Sequence, residues 1–464
     1  MMGRYSLLLK GGTVVTADET KVTDIGVYKG MVVALGDLDP ADAKEVIDVT
    51  GKYVMPGAID VHTHLDMPSG NYTTSDNFFT GTKAAAFGGT TTIIDFAIQE
   101  HGKSLKEAVD VWTRKANNRA VIDYGFHIII KDIHDGIIEE MRELAEMGFP
   151  SFKLFMTYDS LRVSDDVILK VFEVAKEVGA IVLLHAENHE IIKYLVEKHV
   201  QEGKVEPRYH ALSKPDYTEV EAVVRASNLA RAVDAPVYLV HVSSPESIKY
   251  INELRNTGTT IFAETCPQYL LLDDSMYDEQ KHLGAKYIMS PPLRSKERLH
   301  EMWAAISNGS FQVLATDHCP FPLKKKIEQA KKDFSQVPNG MPGIQLRLML
   351  AYTYGVLSGR LTMQDLVRIC STNPARIFGL YPNKGTIKIS SDADLIVFDP
   401  TIKGKINMEL IRENIDYTPY EGMGFQGLPT YVFSRGKTII DNLKFVGKKG
   451  TGVLIKRKKF SLGE

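Results

Sequence analysis

The 464-residue sequence predicts an α/β protein, a (β/α)8 TIM-like barrel carrying a small β-sandwich built from both ends of the chain. Three observations predict it. Between about Pro56 and Tyr381, apolar strand-like runs alternate with amphipathic helix-like stretches, the rhythm of a parallel sheet. The runs number eight, the count that closes a barrel. Six side chains suited to holding metal lie at or near the ends of such runs, where a barrel gathers its active site.

The terminal segments have a different texture. SLLLKGGTVVTAD, DIGVYKGMVVALG and EVIDVTGKYVMPG are rich in Val, Ile and Tyr and are broken by Gly, Asp and Lys. ADLIVFDP, TYVFSRGKTIIDN and GVLIKRK repeat that texture after about Asn383. Residues 1–54 and 384–464 are therefore expected to form one sandwich, with the barrel, 55–383, inserted between them. Two separate β caps are the alternative. The basic run Lys456, Arg457, Lys458 and Lys459 reads as a solvated end.

The candidate barrel strands, in order, are AIDVHTH, TTTIIDF, IDYGFHIII, SFKLFM, AIVLLHAE, PVYLVHV, TIFAETC and FQVLATDH. Candidate helices between them include DGIIEEMRELAEMG, SDDVILKVFEVAKEVG, EVEAVVRASNLARAV and PESIKYINELRNTG. Several close on Gly, as a helix C-cap favours.

His62 and His64 are two apart, so on a strand they face the same side. Imidazole nitrogen suits zinc and similar ions, although an isolated pair reads more readily as two ordinary histidines. His185 and His241 each close an apolar run, and singly each reads as a hydrogen-bonded core residue. Four of the 13 histidines are claimed here, all four in equivalent places of successive strand patterns, and that shared placement favours a common centre. Lys153 is the odd member. It is either an exposed or carboxylate-paired lysine, or a buried amine whose depressed pKa lets it take up CO2. Spacing leaves both open. Asp317 suits a metal ligand that also collects the proton of an activated water, or a helix N-cap. Asp66 reads as an orienting carboxylate or a turn residue, and His318 and Cys319 receive no chemistry.

A hydrophobic fraction of 44%, a charged fraction of 24% and a net charge of -3 leave no footprint for nucleic acid or an anionic membrane. Three cysteines, Cys266, Cys319 and Cys370, stand at no metal-finger or redox spacing and suit a reducing cytoplasm. The opening MMGRYSLLLKGG lacks a cleavage-like site, and no uncharged stretch would span a bilayer. The expectation is a soluble, cytoplasmic protein acting on a small molecule.

IDVHTHLDMP, FGGTTTIIDF, SFKLFMTY, HAEN, ETCPQYL, SPPLR, TDHCPF, PNG and KGTIKISSDADLIVFDP together resemble the dihydropyrimidinase and hydantoinase family of cyclic amidohydrolases, from the first strand to about Gly450. The resemblance implies two divalent ions per subunit, usually zinc, with manganese as the alternative. It places His62, His64 and Asp317 on one ion, His185 and His241 on the other, and an N6-carboxylated Lys153 between them. Tyr158 would donate to the developing oxyanion, and Ser290 and Asn339 would hold the cyclic amide. Leu65 and Phe155 would wall the pocket. The implied reaction opens 5,6-dihydropyrimidines or 5-substituted hydantoins to N-carbamoyl amino acids, in a homotetramer. Arg162 and Ser69 depart from the apolar residues expected around the substrate's substituent, and Gln345 stands where an acid is expected. An allantoinase-like ureide hydrolase is the nearest alternative activity. A non-catalytic scaffold would be expected to have lost ligands, and a deaminase does not suit the lysine.

Overall fold

All eight apolar runs become strands of one parallel sheet, in their order along the chain. They are Ala58–Thr63, Thr90–Ile98, Asp123–Ile129, Ser151–Phe155, Ile181–His185, Val237–Leu239, Ile261–Thr265 and Val313–Leu314. The computed structural model describes residues 4–280 and 282–461. The sheet curls back on itself beyond its last strand. Thr63 bridges His318, the His64 N–H donates to the His318 carbonyl at 2.9 Å, and the Thr316 hydroxyl donates to Asp60 at 2.7 Å.

The strands read as continuous apolar runs because both faces are covered. Ile59, Val61, Ile94, Phe96, Ile129, Leu183, Tyr238, Val240, Val313 and Ala315, drawn from strands all round the sheet, form one core, closed by Phe378. A larger core lies between strands and helices and includes Val109, Trp112, Met141, Leu144, Val171, Phe172, Val223 and Ile251. Taking each such side chain fully out of water contributes roughly 1.5–3 kcal/mol before entropy is counted. The helices fall where the amphipathic periodicity put them, among them Ile137–Glu146, Asp165–Val178, Asp216–Ala232 and Pro245–Asn256. Gly179 ends the second of these with φ 68°, the left-handed cap that Gly tolerates best.

The chain ends supply two further sheets. Leu7–Lys10, Asp24–Tyr28, Met31–Gly36 and Val46–Asp48 form one; Thr13–Val15, Thr20–Val22, Tyr53–Pro56, Leu395–Lys405, Gly424–Ser434, Lys437–Asp441 and Lys444–Phe445 form the other. Leu7, Leu9, Ile25, Val27, Val54, Leu395, Val397 and Phe433 pack between them.

The last residues depart from the expectation of a β-domain strand and a solvated end. After Gly450 the chain leaves these sheets and runs along the barrel: the Tyr124 N–H donates to the Val453 carbonyl at 3.0 Å and the Phe460 N–H to the Gly179 carbonyl at 2.7 Å. Arg457 is buried, donating to the Phe126 carbonyl at 2.7 Å and the Ser151 hydroxyl at 2.6 Å. Its neighbours keep their charges exposed, so the basic run conceals an anchoring residue.

No helix among the described residues is long and apolar enough to cross a membrane.

Candidate metal centre

Polar side chains on several strands, or just past their ends, gather at one mouth of the barrel. His62, on the first strand, places Nε2 3.2 Å from Asp317 Oδ1, and His64 places its Nε2 3.1 Å from the same oxygen. His241 Nε2 lies 2.9 Å from His185 Nδ1. One ligand atom each from His62, His241 and Asp317 lies within 4.8 Å of the others. Asp317 and His241 adopt φ of 52° and 39°, and Tyr158 71°, left-handed conformations unusual for residues with a Cβ. Such strain clusters where a side chain must be aimed.

Lys153 reaches the same cluster from the fourth strand. Its amine is buried with no hydrogen-bond partner, 5.1 Å from the Phe155 ring and 5.5 Å from that of Phe96. Burial pulls its pKa down to about 7, against the opposing pull of Glu264 and Asp317. Burial likewise holds His62 and His241 well below the usual imidazole range and lowers His185. Neutral imidazoles keep a lone pair for a cation. Burial pushes the Asp317 carboxyl upward, but His62 and His64 outweigh it and the group ends below its ordinary value.

Two carboxylates fix the far nitrogens of this cluster. Glu264 contacts His62 Nδ1, accepts from the Tyr238 hydroxyl at 2.8 Å and from the His241 N–H at 3.1 Å. Glu187 lies 2.7 Å from His185 Nε2. A carboxylate behind an imidazole sets its tautomer and turns the other nitrogen toward the ligand. The sequence reading passed over both acids. Glu264 sits at the end of IFAET, so the strand-end signal that selected the histidines was present there too. Lys214 was also missed and carries no periodic signal: its amine is buried, 2.5 Å from the Ser290 hydroxyl and 3.5 Å from Glu187.

The donor set fits a pair of divalent cations. Its nitrogens converge, its lysine amine is unpaired, and burial lowers the pKa of His62, His185 and His241. The contrast is Asp123, Asp392 and Asp394, another close group of acids. There the Lys384 amine already lies 2.9, 3.0 and 2.6 Å from the three carboxylates and closes the cluster.

A cavity of about 580 Å³ opens onto the cluster, lined by His62, His64, Lys153, His185, His241 and Asp317. Tyr158, Ser290, Asn339 and Phe155 line it as well. Burial and then Glu187 push the Tyr158 hydroxyl well above its ordinary pKa, and it faces Ser290. Ser290 Oγ is 3.4 Å from Asn339 Oδ1.

Leu65 departs from the expected pocket wall. It is fully buried in the core outside the cavity, where it packs so closely on Gly81 that a Cβ there would meet Leu65 Cδ2 at 2.4 Å. Ser69 does line the rim, whereas Arg162 turns outward to Glu190 at 2.6 Å. Asp66 proves to be a turn residue, with φ 52° and a carboxylate accepting from the Phe78 N–H at 3.0 Å. His318 is held by Asp76 at 3.0 Å, and its Nδ1 accepts from the Gly343 N–H at 3.1 Å. Gln345 also gains an explanation: its amide donates to the Leu410 carbonyl at 2.9 Å while accepting from the Arg412 N–H at 2.6 Å. A carboxylate could not do the first.

Residues 53–439 match the Amidohydrolase family. The chain is 45% identical to the D-hydantoinase of Geobacillus stearothermophilus over 98% of this chain and 97% of that protein. It is 42% identical to the D-hydantoinase of Ralstonia pickettii, covering 98% and 99%. Among solved structures it resembles the dihydropyrimidinase from Brevibacillus agri NCHU1002 with a TM-score of 0.96 at 44% identity, over 98% of this chain and 99% of that one.

Proposed function

The chain belongs to the amidohydrolase family, and from that premise we propose that it opens the ring of cyclic diamides, 5,6-dihydropyrimidines or 5-substituted hydantoins, in a metal-dependent hydrolysis giving N-carbamoyl amino acids. One observation carries the reading. Four imidazoles and a carboxylate from distant strands line one cavity of about 580 Å³ together with a buried, unpaired lysine amine.

His62, His64 and Asp317 would hold one divalent ion, and His185 and His241 the other, zinc first and manganese as the alternative. Lys153 would lie between them as its carbamate. The neutral amine adds to CO2, a C–N bond forms as one C=O π bond becomes a carboxylate oxygen, and one N–H proton of the adduct is released to solvent. The resulting anion supplies two oxygens and offsets the charge of two cations. When bound, the ions act as Lewis acids that polarise a carbonyl and bring the pKa of water to about 7.

The chain's own residues do the rest. Asp317, held as a carboxylate by its histidine neighbours, takes the proton of the attacking water and returns it to the leaving ring nitrogen. Tyr158 keeps its proton at neutral pH, because its hydroxyl is pushed well above the ordinary value, and donates to the oxyanion that develops on the ring carbonyl. Ser290 and Asn339 orient the ring amide and Phe155 covers its apolar side. The working location is the cytoplasm and the assembly a homotetramer.

The test is metal analysis of the purified protein followed by ring opening of dihydrouracil, dihydrothymine, substituted hydantoins and allantoin. Two ions per chain and turnover of a dihydropyrimidine or hydantoin are expected. Turnover of allantoin alone would replace this reading with the ureide hydrolase, and a metal-free, inert protein would leave the scaffold.

A further inference from the structure

Ser290 reaches the cavity wall on a segment, 286–290, that lies outside the strands, so its backbone carbonyls must find partners elsewhere. They find side chains. His210 Nε2 donates to the Met289 carbonyl at 2.7 Å, and Tyr417 donates to that of Lys286 at 3.3 Å. The Ile288 carbonyl accepts from the Gly340 N–H at 3.0 Å, which joins this segment to the one that carries Asn339.

Lys326 closes the junction. It stands on the helix Leu323–Ala330, its side chain fully buried. Its amine donates to the carbonyls of Lys286 at 3.4 Å, Ile288 at 2.9 Å and Gly340 at 2.6 Å. No carboxylate pairs with it among the described residues. Burial pulls its pKa down to about 7, and in the charged form its three N–H donors match the three carbonyls one for one. The approach leaves no slack on the other side: a Cβ at Gly340, whose φ is 146°, would lie 2.2 Å from the Cys319 carbonyl.

From this juxtaposition we propose that Lys326 is a positioning residue for the hydrolysis. Its amine donates into both segments and clasps 286–290 and 338–340, so that Ser290 and Asn339 present themselves together to one ring. The inference rests on reading the cavity as the cyclic-amide site. Without the amine, the Gly340 carbonyl loses its donor, the Lys286 and Ile288 carbonyls keep only Tyr417 and the Gly340 N–H, and the junction between the two segments loosens. Lys326 touches neither the metal cluster nor Asp317, so its loss should act on substrate binding and leave the chemical step in place.

The experiment compares the full-length, metal-loaded wild type with K326A and K326M on the cyclic amide the wild type opens fastest. Each variant's metal content and unfolding midpoint are measured beside its kinetics. In K326A we expect two ions per chain, kcat within about twofold of wild type and KM raised at least about tenfold. Added n-propylammonium, which replaces the deleted arm and its N–H donors, should bring KM back toward wild type. Tetramethylammonium, a cation without donors, should not. K326M keeps the bulk and lacks the donors, so its KM should be raised and stay raised with either additive; if K326A does not fold, this variant decides. A wild-type KM in either folded variant overturns the proposal, as does a loss confined to kcat or a rescue by both amines alike. A wild type that opens no ring overturns the reading of the cavity itself, and that result needs no variant.

Discussion

His64 Nε2 and Asp317 Oδ1 lie 3.1 Å apart although 253 residues separate them in the chain. The contact joins the end of the first barrel strand to the residue beyond the last, so it is at once part of the closure of the sheet and part of the candidate centre. Asp317→Asn should therefore separate shape from chemistry. The amide fills the same space but cannot take a proton, and kcat for ring opening should fall at least about 100-fold while the unfolding midpoint stays near wild type. Unchanged kcat would remove Asp317 from proton transfer.

The Lys153 amine, at a pKa of about 7, is about one-tenth neutral at pH 6 and about nine-tenths neutral at pH 8. Only the neutral form adds to CO2. Reactivation of metal-stripped protein by zinc at a fixed concentration of dissolved CO2 should then speed roughly tenfold between those values and level off above pH 8. An ordinary lysine would keep gaining up to about 10.5. The linked stability has a definite sign. Between about 7 and 10.5 the unfolded chain holds a proton that the metal-free fold does not, so the metal-free fold gains stability as pH rises through that window. Lys153→Ala should lose metal and activity, with partial rescue by acetate or propionate; full activity without additive would exclude the carbamate.

Glu264 holds His62 from behind and accepts from the His241 N–H at 3.1 Å, which makes it a support for both halves of the cluster. Glu264→Gln should weaken metal binding by roughly 10–100-fold, read by competition with a chelator. Wild-type affinity would show that the imidazoles hold their orientation unaided.

Gln345→Glu removes the donor to the Leu410 carbonyl and brings a carboxylate beside the buried Glu413. Stability should drop by about 1–3 kcal/mol in denaturant unfolding, with metal content and kcat unchanged. A neutral effect would mean that water replaces the lost donor.

Much of the fold is legible in the sequence because its signals are local. Eight apolar runs, helix periodicity and Gly caps act over a turn or a strand, and each run took its place in the sheet. The candidate ligands are legible for a related reason: a polar residue ending an apolar run has few places to go in a barrel. Glu264 obeys the same rule yet carries its role only through His62, and nothing in its neighbourhood in the sequence names that partner. Leu65 has the apolar character that the resemblance asks of a pocket wall, but it lies in the turn after the first strand and packs on Gly81.

The chain's primary structure thus determined the barrel, the placement of its strands and the kinds of side chain at its mouth, all properties set by near neighbours. The folded arrangement decided the rest. It sealed Arg457 against the barrel, turned Arg162 outward, set carboxylates behind His62 and His185, and left the amine of Lys153 without a partner. Those outcomes depend on burial and on distances between residues hundreds of positions apart, and both come into being only when the sheet closes.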